Sequence, residues 1–316
     1  MKPRIVLVGT GRFGKNHLRN LILLDKKKVL KLVGVVDVDK KTLLSIEKEY
    51  KVKTSTQYRD FLEIADAFDV VTPAATHYKI VKFFLKNNKH VFVEKPLSFS
   101  TKEAKELTSL AKQNRKILQV GHIFRYNSAV DVLKKIIKKQ GIPFLIKGEF
   151  LQSREPKSDV GAIFNYLHLF DILDNILEQQ PLKIRSYSNL FDKIIKKETN
   201  ATVFLQYRDT NVILNMGWIP SGKYRTLSMY FKKNHVICDL EKQIVEIYEN
   251  NKLKTTISPK HKEPLLLELD EFARCVRTNK QPKASGLVGT RVVNMAESAT
   301  RALDMGKSMQ VFRHIQ

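Results

Sequence analysis

The residues best suited to chemistry lie in three short stretches. The first is Gly9-Thr10-Gly11-Arg12-Phe13-Gly14. A glycine at its first position permits a tight turn. The second lets backbone approach a pyrophosphate, and the third lets a helix pack closely on a strand. A helix opening there would present N–H groups and a positive dipole end to phosphate. The second stretch is Glu94-Lys95-Pro96. An ammonium at a strand end can hydrogen-bond a substrate oxygen and stabilise alkoxide charge as hydride leaves the adjoining carbon. Partial burial beside a cationic ring would lower its pKa and suit it to proton transfer. The third holds His168, with Asn165 before it and Asp171 after it at helical spacing. An imidazole can take a hydroxyl proton near neutrality, and Asp171 can orient it. Each stretch also has a plainer reading: a glycine turn without a ligand, a surface lysine before a turn proline, a histidine that merely packs. Position in the fold separates the two.

The flanking sequence supplies that position. Residues 4–8 form a short apolar run, as a central parallel strand should. The glycine turn follows at once. A helix carrying His17 to Leu24 comes next, then a strand over 29–36 that ends in Asp37. Strand, glycine turn, helix, strand and acid in this order form a dinucleotide fingerprint. Asp37, about 20 residues past the last glycine, is placed to accept from a ribose 2′-OH and to repel a 2′-phosphate, which favours NAD over NADP. Val38 follows it rather than an arginine, although Lys40 and Lys41 lie close by. Asp37 could instead cap a helix, a task that Asp39 suits better.

The βα rhythm continues. Helices are expected over 43–50, 58–65, 78–87 and 101–114, the last capped by Ser100. Strands are expected over 68–71, 90–93 and 117–120. They end in Thr72-Pro73-Ala74-Ala75-Thr76-His77, in Glu94-Lys95 and in Gly121-His122. Alternation of this kind predicts an α/β fold with a doubly wound parallel sheet. Ligands bind at the carboxyl edge of such sheets. Thr72, Pro73, Ala74, His77, Glu94 and Lys95 therefore join Gly9, Thr10, Gly11, Arg12, Phe13, Gly14 and Asp37 as candidate cofactor contacts. Glu94 either touches cofactor or holds Lys95 by charge. His77 reads as a helix-start residue near the nicotinamide rather than as a catalyst.

Past residue 125 the rhythm stops. Residues 159–174 read as one helix with Asn165, His168 and Asp171 on a polar stripe, extended by Asp174 and Asn175. Strand-like runs follow over 144–152, 184–190, 201–207, 212–218, 226–231, 235–238 and 243–248. Turn residues such as Arg208-Asp209-Thr210-Asn211 and Glu249-Asn250-Asn251 separate several of them. Two domains are thus expected: 1–122, a Rossmann domain, and 123–316, an α+β domain for substrate and oligomerisation. Arg125 and Tyr126 fall where the chain crosses between them. Arg125 can pair with a carboxylate or phosphate of substrate, or form an ion pair at the domain interface.

Composition narrows the classes. The chain has 316 residues, 43% hydrophobic and 28% charged, which suits a soluble two-domain protein. No apolar run reaches the ~20 residues that span a bilayer. The N-terminus is basic and then apolar, but the run is strand-length and ends in the glycine turn, so it is read as a strand and not as a signal peptide. Cys238 and Cys275 stand far apart, which points to a reducing cytoplasm without disulfides. The net charge of +24 comes from lysines spread along the chain, as in Lys26-Lys27-Lys28, Lys134-Lys135 and Lys196-Lys197. No run is interleaved with stacking aromatics, so a solvated surface that steers anionic substrates is favoured over nucleic-acid binding. No HExxH, CxxC or carboxylate cluster with metal spacing occurs, and no metal is expected.

The glycine turn, Thr72-Pro73 with His77, Glu94-Lys95-Pro96 and Val120-Gly121-His122-Ile123-Phe124-Arg125-Tyr126-Asn127 together resemble the Gfo/Idh/MocA oxidoreductases. These are enzymes of the glucose–fructose oxidoreductase and inositol dehydrogenase type. The resemblance runs through the chain to Glu263-Pro264-Leu265, Glu268-Leu269-Asp270-Glu271-Phe272, Pro282 and Gly289. Its most specific sign is Glu94-Lys95-Pro96 one βα unit ahead of the Gly121 to Asn127 stretch. That stretch, followed by Leu133-Lys134-Lys135-Ile136-Ile137, is most similar to nucleotide-sugar 3-dehydrogenases. The resemblance implies a second domain with a large, mostly antiparallel sheet, packed on helices by one face and pairing subunits into a homodimer or homotetramer by the other. It implies catalytic roles for Lys95 and His168, a cis peptide at Pro96, and a sugar, cyclitol or nucleotide-sugar alcohol as the small-molecule substrate. Substrate contacts would come from Lys95, Arg125, Tyr126, Asn165 and His168. One departure stands out. Relatives carry an aspartate or asparagine four residues before the histidine, where this chain has Phe164, with Asn165 one place on. An asparagine can orient substrate but cannot relay a proton. Two other readings share the first domain: a non-catalytic NAD-binding regulator, which intact Lys95 and His168 argue against, and a redox enzyme for an imine or a tetrapyrrole, which needs no alcohol base.

Overall fold

A computed structural model describes residues 1–153, 160–188, 197–305 and 309–310. The chain divides into two compact units. One comprises Met1–Ile123 with Glu263–Thr290, the other Phe124–Lys262 with Arg291–Gln316.

The first unit opens with β1 (Arg4–Val8), α1 (Gly14–Lys26), β2 (Lys31–Val36), α2 (Lys40–Tyr50) and β3 (Thr54–Ser55). It continues with β4 (Ala67–Val70), α3 (His77–Lys86), β5 (His90–Val93), α4 (Thr101–Gln113) and β6 (Leu118–Val120). The strands form one parallel sheet in the order β3-β2-β1-β4-β5-β6. The chain builds outward from β1 to one edge, then returns to β1's other side at β4. The point of reversal lies between β1 and β4, where ligands bind sheets of this kind. All of β4 and β6 is buried, each with one polar residue, Asp69 and Gln119, among apolar ones. Asp39 caps α2 by accepting from Lys41 N–H at 3.0 Å, and Ser100 caps α4 by accepting from Lys102 N–H at 3.2 Å. The helix expected over 58–65 is only a 3-10 turn, Tyr58–Phe61. Its Phe61 is fully buried and lies over Gly34, where a Cβ would fall 2.1 Å from the ring.

The second unit begins with α5 (Ser128–Gln140), β7 (Leu145–Gln152), α6 (Ala162–Asn165) and α7 (His168–Leu177). Then come β8 (Lys183–Tyr187), β9 (Asn200–Gln206), β10 (Asn211–Trp218), β11 (Lys223–Tyr230), β12 (Asn234–Asp239), β13 (Ile244–Glu249) and β14 (Lys252–Ile257). The chain closes with α8 (Pro264–Thr278), α9 (Gly286–Met305) and β15 (Met309–Gln310). Nine strands form one sheet, β14-β13-β12-β11-β7-β10-β9-β8-β15. Every pairing in it is antiparallel except β7 with β10. Val203, Leu205, Val212, Leu214, Leu227, Met229, Val236 and Cys238 alternate onto its buried face. Gly148 on β7 leaves room there for Leu169 of α7.

Three features depart from the sequence expectation. The helix anticipated over 159–174 is broken: α6 ends at Asn165, Tyr166 and Leu167 turn, and α7 starts at His168. Tyr166 N–H still bonds Ala162 O, but Leu169 N–H bonds Tyr166 O, so the chain makes a tight turn between Asn165 and His168. Residue 159 and the end of the strand expected over 184–190 lie outside the described residues. Second, residues 263–290 pack in the first unit and not with the rest of the C-terminal half. Leu265, Leu269, Phe272 and Ala273 of α8 are buried in one cluster with Leu7, Leu18, Leu21 and Phe92. Third, β14 is almost wholly exposed and carries no apolar alternation to reveal it. Among the described residues no helix is long and apolar enough to cross a membrane.

Candidate active site

The glycine turn sits on the carboxyl edge of the first sheet, at its point of reversal. Gly9 has φ +99°, and a Cβ on it would lie 2.6 Å from Val71 O. Only glycine fits both demands. A Cβ on Gly14 would lie 2.2 Å from Gly9 O, so this glycine lets α1 start hard against the turn. A Cβ on Gly11 would meet nothing within 4 Å. The space there is open, and the backbone is bare toward it. Phe13 precedes α1 and supplies no side-chain cap to it. Bare backbone, open space and an uncapped helix start are what a pyrophosphate requires, so these residues fit a dinucleotide. Arg12 beside them is exposed.

Asp37 follows β2, beside the glycine turn. Its Oδ2 accepts from both Thr10 N–H and Thr10 Oγ1–H at 2.6 Å, and its Oδ1 accepts from Asp39 N–H at 3.0 Å. Burial opposes its ionisation, but the Thr10 hydroxyl and the backbone donors outweigh burial and hold its pKa below the usual carboxylate value.

Beneath the turn lies an ion cluster. His17 of α1 is fully buried, with Nδ1 2.8 Å from Asp69 Oδ2 and Nε2 3.3 Å from Glu94 Oε1. Burial favours the neutral ring, but Asp69 and then Glu94 overcome it and push its pKa to about 10. The two carboxylates thus favour the charged form of the imidazole. Glu94 also accepts from Lys95 N–H at 3.2 Å. A Cβ on Gly121 would lie 2.4 Å from Glu94 Oε1, so the glycine after β6 leaves this carboxylate its place. Lys95 follows β5, is half-buried, and precedes a cis peptide to Pro96. His77 is buried, with Nδ1 2.7 Å from Pro96 O and Nε2 2.9 Å from Thr72 O. Burial holds its pKa below the usual histidine value. It is a strut between two strand-end turns. Thr72 Oγ1 lies 2.7 Å from Thr76 Oγ1, which donates to Pro73 O at 2.7 Å, and Ala74 starts the short turn between them.

In the second unit His168 opens α7, half-buried and edge-on to Phe124 at 5.1 Å, with Phe150 at 6.1 Å. Asp171, one turn on, is fully buried, and its Oδ1 accepts from Arg125 Nε at 2.6 Å. Arg125 Nη2 donates to Asp174 Oδ2 at 2.5 Å. Arg291 grips both Asp174 oxygens, at 2.7 and 2.8 Å. Burial would lower the Arg125 pKa, but Asp171 and Asp174 raise it. Burial likewise opposes ionised Asp174, and the Arg291 hydrogen bonds and the charge of Arg125 reverse this. Arg125 is thus paired with acids of its own unit, and not in the domain-interface ion pair foreseen for it. Tyr126 is buried, and Asn165 ends α6 half-buried.

Two groups escaped the sequence reading. Asp69 sat inside an apolar strand, and a buried acid there demands a partner. His17, three residues past Gly14, is that partner. Arg291 gave no signal, because its acid lies far off in sequence. Among the described residues, no three His, Cys, Asp or Glu side chains are grouped to hold a metal ion.

Residues 3–122 match the model of the Gfo/Idh/MocA oxidoreductase family with an NAD-binding Rossmann fold. The UDP-N-acetylglucosamine 3-dehydrogenase of Acidithiobacillus ferrooxidans is 21% identical, covering 93% of this chain and 95% of its own. Its solved structure superposes with a TM-score of 0.87 over 96% of this chain and 99% of that one. The NAD-dependent scyllo-inositol 2-dehydrogenase of Bacillus subtilis is 26% identical, covering 98% of this chain and 96% of its own. The WlbA dehydrogenase of Bordetella pertussis, solved with NADH and UDP-GlcNAcA, is 20% identical with a TM-score of 0.82, covering 99% of each chain. At these identities the structural likeness establishes the fold. Residues 3–122 thus form an NAD-binding Rossmann domain of the Gfo/Idh/MocA oxidoreductase type.

Proposed function

We propose that the protein oxidises a secondary alcohol of a sugar, cyclitol or nucleotide-sugar, or reduces the matching ketone, with NAD. The observation that carries this is the shared sheet edge: the bare glycine turn at Gly9–Gly14 and Lys95 both lie on the carboxyl edge of one parallel sheet. Gly9, Gly11 and the start of α1 would hold the pyrophosphate, and Asp37 the adenosine ribose. Bound NAD would supply the acceptor for the hydride. Lys95 hydrogen-bonds the substrate oxygen and stabilises its developing charge. His168 takes the hydroxyl proton, leaving the ketone. Asn165 orients substrate. Asp171, tied to Arg125, keeps the start of α7 in place beneath His168. The two carbohydrate dehydrogenases among the relatives support this substrate class, and the excess positive charge suits phosphorylated or nucleotide-linked substrates.

The finer setting belongs to the same proposal. Asp37 selects NAD over NADP, the protein works in the cytoplasm, and the open face of the nine-stranded sheet pairs it with a second copy. That face carries Tyr187, Phe204, Tyr230, His235 and Tyr248, with the His235 ring stacked between those of Tyr230 and Tyr248. Light scattering during gel filtration tests the pairing.

The test of function is a substrate screen with inositols, free sugars and UDP-sugars, following reduced cofactor, with a 2-oxo acid added to recycle tightly held cofactor. Turnover by the wild type and a fall of about 10²–10⁴ in kcat for Lys95→Ala, with NAD affinity retained, are expected. Equal turnover by Lys95→Ala would remove the lysine from the chemistry.

A further inference from the structure

A carboxylate at the end of β2 is commonly credited with choosing between the two dinucleotides. The carboxylate of Asp37 does not stand alone. Thr10 gives it two donors, amide and hydroxyl, on one oxygen at 2.6 Å each, and Asp39 N–H holds the other oxygen. Thr10 is itself 2% exposed and packed in place. A carboxylate has about four lone-pair sites. The protein fills most of them, with Thr10 on Oδ2, Asp39 N–H on Oδ1 and the Val38 backbone N–H close by.

We infer that Thr10 is a specificity-positioning residue: its hydroxyl pins Asp37 in the one orientation that accepts a ribose hydroxyl and refuses a 2′-phosphate. This rests on the dinucleotide reading of the glycine turn. A surface aspartate at a strand end has a free χ1, and it can swing toward solvent to relieve repulsion from an incoming phosphate. The pinned Asp37 cannot do so without giving up the bonds that Thr10 supplies. Exposed Arg12, Lys40 and Lys41 lie close in sequence and would attract a 2′-phosphate. Selectivity therefore depends on Asp37 staying where it is, not only on its presence. Preorganisation of this kind also favours NAD, because no rotamer has to be ordered on binding.

The experiment measures Kd for NAD and for NADP by calorimetry on the full-length protein. It compares wild type, Thr10→Val, Thr10→Ser, Asp37→Ala and the Thr10→Val/Asp37→Ala double variant. Valine keeps the shape and the backbone amide of Thr10 and removes only the hydroxyl. The NADP-to-NAD Kd ratio of Thr10→Val should fall about tenfold, or about 1.4 kcal/mol, chiefly through loss of NAD affinity and gain of NADP affinity. Thr10→Ser should keep the wild-type ratio within about twofold. The double variant should match Asp37→Ala alone, as two residues acting through one interaction must. An unchanged ratio in Thr10→Val overturns the inference. So does an equal loss of both affinities, which is loop damage, or a serine variant that behaves like valine. A wild type that binds NAD while these outcomes appear leaves the cofactor reading intact. A wild type that binds neither dinucleotide overturns both.

Discussion

Replacing His17 with glutamine tests the ion cluster beneath the glycine turn. Glutamine keeps a donor for Asp69 but removes the charge, leaving the buried Asp69 and Glu94 carboxylates without their cation. Removing one partner of a buried pair costs about 3–5 kcal/mol. The raised pKa of His17 sets a similar ceiling. A pKa raised from 6.5 to about 10 is worth at most about 5 kcal/mol at ~1.4 kcal/mol per unit. Burial pushes the Asp69 carboxyl up and opposes the pair, so the net lies below that ceiling. For a domain of this size the loss lowers the melting temperature by about 6–20 °C. The sign with pH follows from linkage. A folded-state pKa above the unfolded one gives stability that is complete below about pH 6.5 and disappears as pH rises through about 10. Urea titrations followed by far-UV circular dichroism, from pH 6 to 10, should show the gap between wild type and His17→Gln closing as pH rises. A gap that stays constant would refute the cationic imidazole, since the lysine background is common to both proteins.

Three further outcomes are expected. Gly9→Ala forces a left-handed backbone on alanine and a Cβ against Val71 O; NAD affinity should fall at least ~10-fold, or about 1.4 kcal/mol, by calorimetry. Asp174→Asn strips the charge that pairs Arg125 and Arg291 and should destabilise the second unit by about 3–5 kcal/mol, read from Trp218 fluorescence in urea. His168→Asn should lower kcat/KM about 10²–10⁴-fold and flatten the acidic limb of its pH profile. A limb that persists in the variant would place the base elsewhere.

The first unit was legible because its code is local. An apolar run, a glycine turn and a helix lie within one short segment, and each strand end announces itself by a polar residue. The return of α8 was not legible, because Leu265, Leu269 and Phe272 show an apolar face without naming its partner. The break between α6 and α7 was hidden for the opposite reason. The spacing of Asn165, His168 and Asp171 is helical on paper, and nothing at Tyr166 or Leu167, neither glycine nor proline, marks a stop. Arg125 could be seen as an anion binder but not matched to an anion, since its partners Asp171 and Asp174 belong to a helix far along the chain. Contacts between distant segments need the fold before they can be read.

What the fold adds to the strand-end residues is that almost none of them is independent. Asp37 after β2 is held by Thr10 after β1. Glu94 after β5 is held by His17 of α1 and fits against Gly121 after β6. Pro96 after β5 and Thr72 after β4 are joined through His77. The sheet edge is cross-tied before any ligand arrives, which keeps the cost of organising it out of the binding and chemical steps. His77 shows how such a tie is limited. Both of its ring nitrogens face carbonyl oxygens, which only accept, and a neutral imidazole has one proton to donate. Burial lowers its pKa, so near neutrality the ring serves one carbonyl at a time. The tie between the Thr72 and Pro96 turns is then a choice between two tautomers rather than a rigid bridge. Unlike the His17 cluster, it can shift without breaking an ion pair.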